Sequence, residues 1–323
     1  MAPDAVHQGG AALLAAMLTV TLVATFASAA LWQQWRSVEV EAAERGRVQA
    51  AWVLVGALDW ARLILREDAR AGGVDHLAEP WAVPLNEARL SSFLSMDKNS
   101  TDTEREAFLS GRVSDLQARL NVTNLIEGNT VAEPAMASFG RLFEVLGLPS
   151  EQLITLAGTL LEASKSGNPG AGQAQSQQAP LMPQRTDQLV WLGLPAASLA
   201  VLDAHITLLP TRTPVNLNTA SAEVLYASTP GLAMADAQKL VAARERRHFG
   251  SLAEAGQLVG GRAGQFNDGQ HAVASRFFEV RGRLRLDQTV VQERSVLQRD
   301  GLTVRTLWRE RGVVGVEAAA FSN

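Results

Sequence analysis

The sequence predicts a mixed α/β protein of the α+β kind: one long N-terminal helix, an antiparallel sheet, and a set of shorter helices inserted between the strands. Three observations carry this. An apolar run from Ala11 to Leu31 without a charged side chain continues, with no turn signal, into helically spaced positions. Helical signals then dominate between Glu133 and His271. From Phe278 onward the hydrophobic period changes from 3.6 to 2.

The N-terminal helix comes first. At about 1.5 Å per residue, the run from Ala11 to Leu31 spans a hydrocarbon core about 30 Å thick. It is preceded by a polar leader, MAPDAVHQGG, which lacks Lys and Arg and ends in Gly9-Gly10. A secretory signal has a basic start and a shorter apolar region. A short leader ending in Gly before a long apolar helix instead resembles a type IV prepilin. Two other readings stand beside it: cleavage at the small-residue site Ala27-Ser28-Ala29, and an uncleaved anchor. Arg36, Arg45 and Arg47 alternate with Glu39, Glu41 and Glu44, so flanking charge sets no orientation.

Helical spacing continues through Val48, Trp52, Val55, Leu58, Arg62 and Leu65, with Glu44, Gln49, Asp59 and Arg66 off that stripe, until Gly72-Gly73 stops it. The expectation is one helix from Ala11 to Ala71, on the order of 90 Å long, whose stripe Val48, Trp52, Val55 and Leu58 packs on protein.

Composition narrows the function classes. The chain has 323 residues, 47% of them hydrophobic, and a formal net charge of -4, which gives no long-range attraction to nucleic acid. It contains no Cys, which excludes disulfides, thiolate metal sites and cysteine nucleophiles. There is no P-loop, H-E-x-x-H or G-x-S-x-G pattern. The five His residues (His7, His76, His205, His248 and His271) lack metal-ligand spacing, so an enzyme is not expected.

Beyond Gly73, Arg112 to Leu125 reads as a strand. Asp97, Asn99 and Thr101 have the opening spacing of a calcium loop, but Asp102 replaces its Gly and Phe108 its final Glu, which rejects an EF-hand. Thr103 and Glu106 read as a capping box opening a short helix. Pro134 opens a helix that Gly147 closes, and Ser150 caps the next, which ends near Lys165. Residues 166–185, rich in Gly, Gln, Ser and Pro, form a connector. Helix resumes at Thr186 and gives way to an extended piece, Leu208 to Val215.

Residues 214–260 resemble a helix-hairpin-helix unit. Asn218 or Thr219 caps a short helix, Pro230-Gly231 makes the hairpin, a helix runs from Ala235 to Arg246, and Ser251 with Glu254 caps a third. Such hairpins bind DNA by bringing backbone N–H groups to a phosphate, but Ala233 replaces the second Gly of the usual pattern. Arg244, Arg246 and Arg247 add charge within an acidic chain, and no nucleic-acid partner is expected. The alternative is a membrane-tethered DNA receptor of the competence type.

In the C-terminal region, Phe278, Val280, Leu284 and Leu286 alternate with Glu279, Arg281, Arg283 and Arg285. Thr289 to Arg299 then meets the hairpin signal Asp300-Gly301 and returns through Leu302, Val304, Thr306 and Trp308, which makes three antiparallel strands. The arginine row reads as a solvated sheet face, with an anionic partner as the other reading.

Taken together, the Gly10/Ala11 junction, SDLQARLNVTNL with Asp115, Gln117, Arg119, Asn121 and Asn124, TPVNLNTASAEVL with Asn216, Asn218 and Thr219, and the terminal strands resemble the minor pseudopilin K family of bacterial type II secretion systems. The resemblance implies a pilin-like fold interrupted by a helical insertion with helix-hairpin-helix-like repeats. Its parts would be a leader (1–10), a transmembrane helix (11–35), the spine and first part of the pilin-like domain (36–124), the insertion (125–272) and C-terminal strands (273–323).

It further implies cleavage after Gly10 by prepilin peptidase and N-methylation of Ala11, in a single-pass protein of the bacterial inner membrane with its bulk in the periplasm. The expected partners are the membrane, minor pseudopilins I and J, the major pseudopilin and the inner-membrane assembly platform. The expected role is capping the tip of the periplasmic pseudopilus in support of its assembly and protein export. Calcium is implied, with ligands unassigned. Ala15 stands where most pseudopilins have Glu, a departure that suits a terminal subunit.

Overall fold

The computed structural model describes residues 8–90, 107–166, 180–260, 266–286 and 289–315. Helix α1, Gln8–Ala71, is continuous over 64 residues, about 96 Å at 1.5 Å per residue. It opens before the Gly10/Ala11 junction, and it ends where Gly72 and Gly73 take φ of 70° and 125°, left-handed values that stop a helix at little cost only in glycine. Chain contacts divide the molecule into residues 1–55 and 56–323.

In the first unit α1 is long and apolar enough to cross a membrane, and its most apolar window is wholly unburied. Leu14, Val20 and Phe26, about 120° apart around the helix, are all exposed, as a lipid solvent requires. Thr19, Thr21, Thr25 and Ser28 return their hydroxyl protons to carbonyls three or four residues back, so no hydroxyl donor there is left without an acceptor.

The second unit is built on five antiparallel strands: β1 (Leu85–Arg89), β2 (Ala107–Asp115), β9 (Phe277–Leu286), β10 (Thr289–Asp300) and β11 (Thr303–Gly315), in the order β1-β2-β9-β10-β11. The strands joining β2 to β9 belong to the insertion, so two sequence-distant segments pair as sheet neighbours through Val113↔Val280 and Asp115↔Phe278. Gly301 closes the β10–β11 hairpin at φ 56°, as the Asp-Gly signal anticipates. Leu58 and Leu65 of α1 pack with Trp81, Phe278, Leu297 and Val304 on one sheet face. Arg62 pins the helix further by donating through Nε and Nη2 to the Val304 carbonyl at 3.1 and 2.9 Å.

The helical insertion has its own core. It contains two-residue strands β3 (Leu120–Asn121), β4 (Ile126–Glu127), β5 (Thr130–Val131), β6 (Ile206–Thr207), β7 (Val215–Asn216) and β8 (His271–Ala272). Its helices are α2 (Glu133–Val145), α3 (Ser150–Ser166), α4 (Ala196–Leu202), α5 (Ala222–Ser228), α6 (Met234–Arg246) and α7 (Leu252–Leu258). Leu125, Phe139, Phe143, Leu156, Leu160 and Leu225 are at most 2% exposed and belong to one apolar cluster that runs from Leu120 to Phe266.

Three expectations are corrected. Arg112 to Leu125 is not one strand: β2 ends at Asp115, because the Asp115 carboxylate accepts from Gln117 N and the Asn121 amide oxygen accepts from Thr123 N, bending the chain into successive 3-10 turns. The cap of α5 is Ser221, whose hydroxyl accepts from Val224 N, so Asn218 and Thr219 are free for other bonds. In the spine stripe Leu58 is buried but Val48 and Trp52 are 56% and 72% exposed. At about 100° per residue, Leu58 lies roughly 120° around the helix from Trp52. The Thr103–Glu106 capping box and the Asp97–Thr101 spacing lie outside the described residues.

These two faces should separate on mutation. Leu58→Ala is expected to cost about 2–5 kcal/mol of stability, whereas Trp52→Ala should change it by less than about 0.5 kcal/mol. Denaturant unfolding of the full chain in detergent micelles measures both, and a large loss for Trp52→Ala would contradict the assigned faces.

Candidate functional site

The residues that join the insertion to the sheet form a buried polar network. β2 delivers Asp115 at its end, 5% exposed, and one of its carboxylate oxygens accepts from Asn216 Nδ2 at 3.1 Å, Thr219 Oγ1 at 2.6 Å and Ser275 Oγ at 2.6 Å. Its other oxygen accepts from Gln117 N at 2.7 Å. Gln117 then bridges the two chain crossings, donating to the Pro214 carbonyl and accepting from Arg276 N. Asn121 donates to Thr211 O and Thr213 Oγ1 and accepts from Leu209 N. Asn124 makes a reciprocal pair with the Thr213 backbone, at 2.8 and 3.0 Å.

Inside the insertion, Asn218 clamps Phe249 by accepting from its N–H and donating to its carbonyl. The structure therefore brings Asp115, Gln117, Asn121, Asn124, Asn216, Asn218 and Thr219 into one joint. Arg119 makes none of these bonds: it is half-buried, and burial lowers its pKa against the opposing charges of Glu279 and Asp203. Gly10 and Ala11 lie in the opening turns of α1, and the exposed Ala15 offers only its carbonyl, which accepts from Thr19.

Sequence reasoning missed the other half of the joint. Asp75, 2% exposed, follows the Gly72-Gly73 stop, and its backbone bonds to Val273 O and Asn216 Nδ2. Arg299 of β10, 9% exposed, donates to Asp68 at 2.6 Å, to both Asp75 oxygens at 2.5 and 2.7 Å, and to the Ser275 carbonyl at 2.8 Å, with its guanidinium 4.8 Å from the Phe278 ring centre. His76 stacks on His248 of the insertion at 3.8 Å and 8°. No local signal marks these residues, since the side chains that Arg299 joins lie far away along the chain.

 The separations are 231 positions for Asp68 and 224 for Asp75, well beyond the reach of any spacing rule.

Asp68, Asp75 and Glu79 are the one group of three potential metal ligands among the described residues, with ligand atoms within 4.8 Å of one another. Two of these carboxylates already hold the Arg299 guanidinium, which supplies the positive charge in place of a cation. This cluster does not fit calcium. Burial raises the Glu79 pKa to about 7, against hydrogen bonds from His76 N and Trp81 Nε1. It raises Asp115 to about 6, against the bonds from Ser275, Thr219 and Gln117.

The helix-hairpin-helix region folds as expected around Pro230-Gly231, with Gly231 at φ 74°. Arg244 nevertheless turns inward, donates to the Leu217 carbonyl at 2.7 Å, and is lowered by burial to a pKa of about 10. It is thereby removed from the outer face on which a phosphate would dock.

Two expectations follow for the joint. Arg299→Met leaves Asp68 and Asp75 without their counter-charge and should cost about 3–5 kcal/mol, read by denaturant unfolding. The Asp115 pKa is higher folded than unfolded, so its contribution to stability is complete below about pH 4 and is lost as pH rises through about 6. Asp115→Asn, which cannot ionise, should therefore gain on the wild type by about 3 kcal/mol between pH 4 and pH 7.5. A pH-independent difference between the two would mean that the folded and unfolded chains hold the Asp115 proton equally, and would contradict the raised pKa.

Two family models match the chain, both described as type II secretion system protein K, one over residues 118–211 and the other over 215–274. A type II secretion system protein K from Pseudomonas aeruginosa is 28% identical over 333 aligned positions, covering 96% of this chain and 94% of the relative. Among solved structures, a chain of the GspK-GspI-GspJ complex from the type 2 secretion system of enterotoxigenic Escherichia coli matches with a TM-score of 0.59 and 19% identity, covering 84% of this chain and 98% of that one. At 96% coverage the sequence similarity extends over the N-terminal helix, the sheet and the insertion alike, and along that length the chain is similar to type II secretion system protein K.

Proposed function

We propose that the protein caps the tip of a periplasmic pseudopilus, standing in the bacterial inner membrane through α1 before assembly and joining minor pseudopilins I and J. The observation that carries the reading is the insertion itself: a helical body with its own core, fixed to one end of the sheet by buried polar bonds. Such a body would obstruct a further subunit stacked on that end. Ala15 adds to this, because it offers no carboxylate to a neighbour's N-terminal amine. The complex named for the similar solved chain contains GspI and GspJ, which supports the same two partners here. The major pseudopilin and the inner-membrane assembly platform complete the proposed set of partners, and calcium, where it binds, is proposed to bind outside the Arg299 cluster.

In this reading prepilin peptidase cleaves after Gly10 and Ala11 is N-methylated. Gly10→Val adds a β-branched side chain at the cleaved bond and should leave an uncleaved precursor in the membrane. Mass spectrometry of the N-terminus reads this, and normal maturation of the variant would place the junction elsewhere.

A chain beginning at Ser37 should form a one-to-one-to-one complex with pseudopilins I and J and remain unassembled alone, as measured by light scattering coupled to size exclusion. Labelled copies found at regular intervals along intact filaments would replace the tip reading with lateral decoration.

A further inference from the structure

The sheet face opposite α1 carries an arrangement that sheet stability alone does not favour. Register places Arg112 of β2 opposite Arg281 of β9, and Arg281 opposite Arg294 of β10, three arginines in line across three strands. Arg283 and Arg285 extend the same face along β9 by the two-residue repeat. Like charges directly opposite one another destabilise a sheet. A local rule broken without compensation points to function.

Compensation is partial. Arg281 and Arg294 converge on the buried Glu279, and Arg285 pairs with Glu87 at 2.8 Å while lying 4.1 Å over the Phe108 ring. Among the described residues, Arg283 Nε has no hydrogen-bond partner and Arg112 is exposed without an ion pair. Glu310 of β11 lies opposite Arg294 but is engaged by Arg185, so the five arginines meet three carboxylates on this face, in a chain whose formal net charge is -4.

We propose that this arginine face docks an acidic protein segment in extended conformation. Residues two apart on β9 stand about 6.8 Å apart, which is the spacing of alternate side chains on an extended acidic segment. Carboxylates on such a segment would meet Arg281, Arg283 and Arg285 in succession, and Arg112 would flank them. The face binds through side chains alone, because β9 is hydrogen-bonded on both edges and offers no free backbone N–H groups of the kind phosphate sites use. The proposal rests on the sheet face and is independent of the tip reading.

The test uses the full chain in dodecyl maltoside micelles and a fluorescent peptide of four Glu-Thr repeats. Wild type should bind it with a steep dependence on salt, and the double change Arg112→Glu with Arg283→Glu should weaken binding at least tenfold at an unchanged melting temperature. Where the glutamate pair lowers the melting temperature, Arg112→Gln with Arg283→Gln decides, with at least fivefold weaker binding expected. Absence of binding by wild type, equal binding by the variants, or tighter binding of inorganic phosphate or phosphatidylglycerol vesicles than of the peptide would overturn the proposal.

Discussion

Arg299 is the contact on which the arrangement of the second unit depends. One guanidinium holds the end of the spine helix through Asp68, the turn beyond it through Asp75, and the chain returning from the insertion through the Ser275 carbonyl. Desolvating these groups is costly, and their mutual attraction offsets that cost only while the geometry is complete. The position of each segment is therefore tied to that of the others. An arginine suits this task better than a lysine, because its planar fork presents several donors in fixed directions.

The insertion is attached by a different kind of bond. Its apolar core is separate from the cluster under the spine helix; a small apolar cluster of Leu116, Leu209, Phe277 and Val296 touches both bodies, and at the same crossing side-chain amides and carboxylates reach backbone atoms. Such bonds are directional, whereas apolar contact tolerates sliding. A body that projects from a sheet and must keep one orientation gains from directional attachment. This accounts physically for the Asp, Gln and Asn residues of the two motifs: all are buried except the half-buried Asn124, and each bonds at the crossing.

Much of this was legible in the sequence. The period-2 run at Phe278, the Asp300-Gly301 hairpin and the Gly72-Gly73 stop are local signals, and the structure follows them. The spine stripe was misread because apolar residues lie all around α1, so that spacing alone did not select the packed face; Trp52 and Leu58 belong to different sides. The strand expected from Arg112 ended early because the Asx turns at Asp115 and Asn121 compete with the ladder. Asp75, Ser275 and Arg299 gave no warning. Arg299 reads as one more alternating residue of a strand, and only long-range pairing gives it its partners.

The spine helix shows why one element serves two solvents and two surfaces. Below Arg36 its surface is apolar on every side, which suits lipid. Above it, charged side chains pair along the helix, as Arg45 does with Glu41 and Arg70 with Glu67, and apolar positions divide into a packed stripe and an open one. Leu58 and Leu65 occupy the first; Trp60 and Leu63 remain exposed on the second. At about 100° per residue Leu63 lies some 60° from Trp60, so the two share one open apolar side of the helix. A solitary soluble domain has no use for such a stripe, whereas a helix that packs beside other helices does.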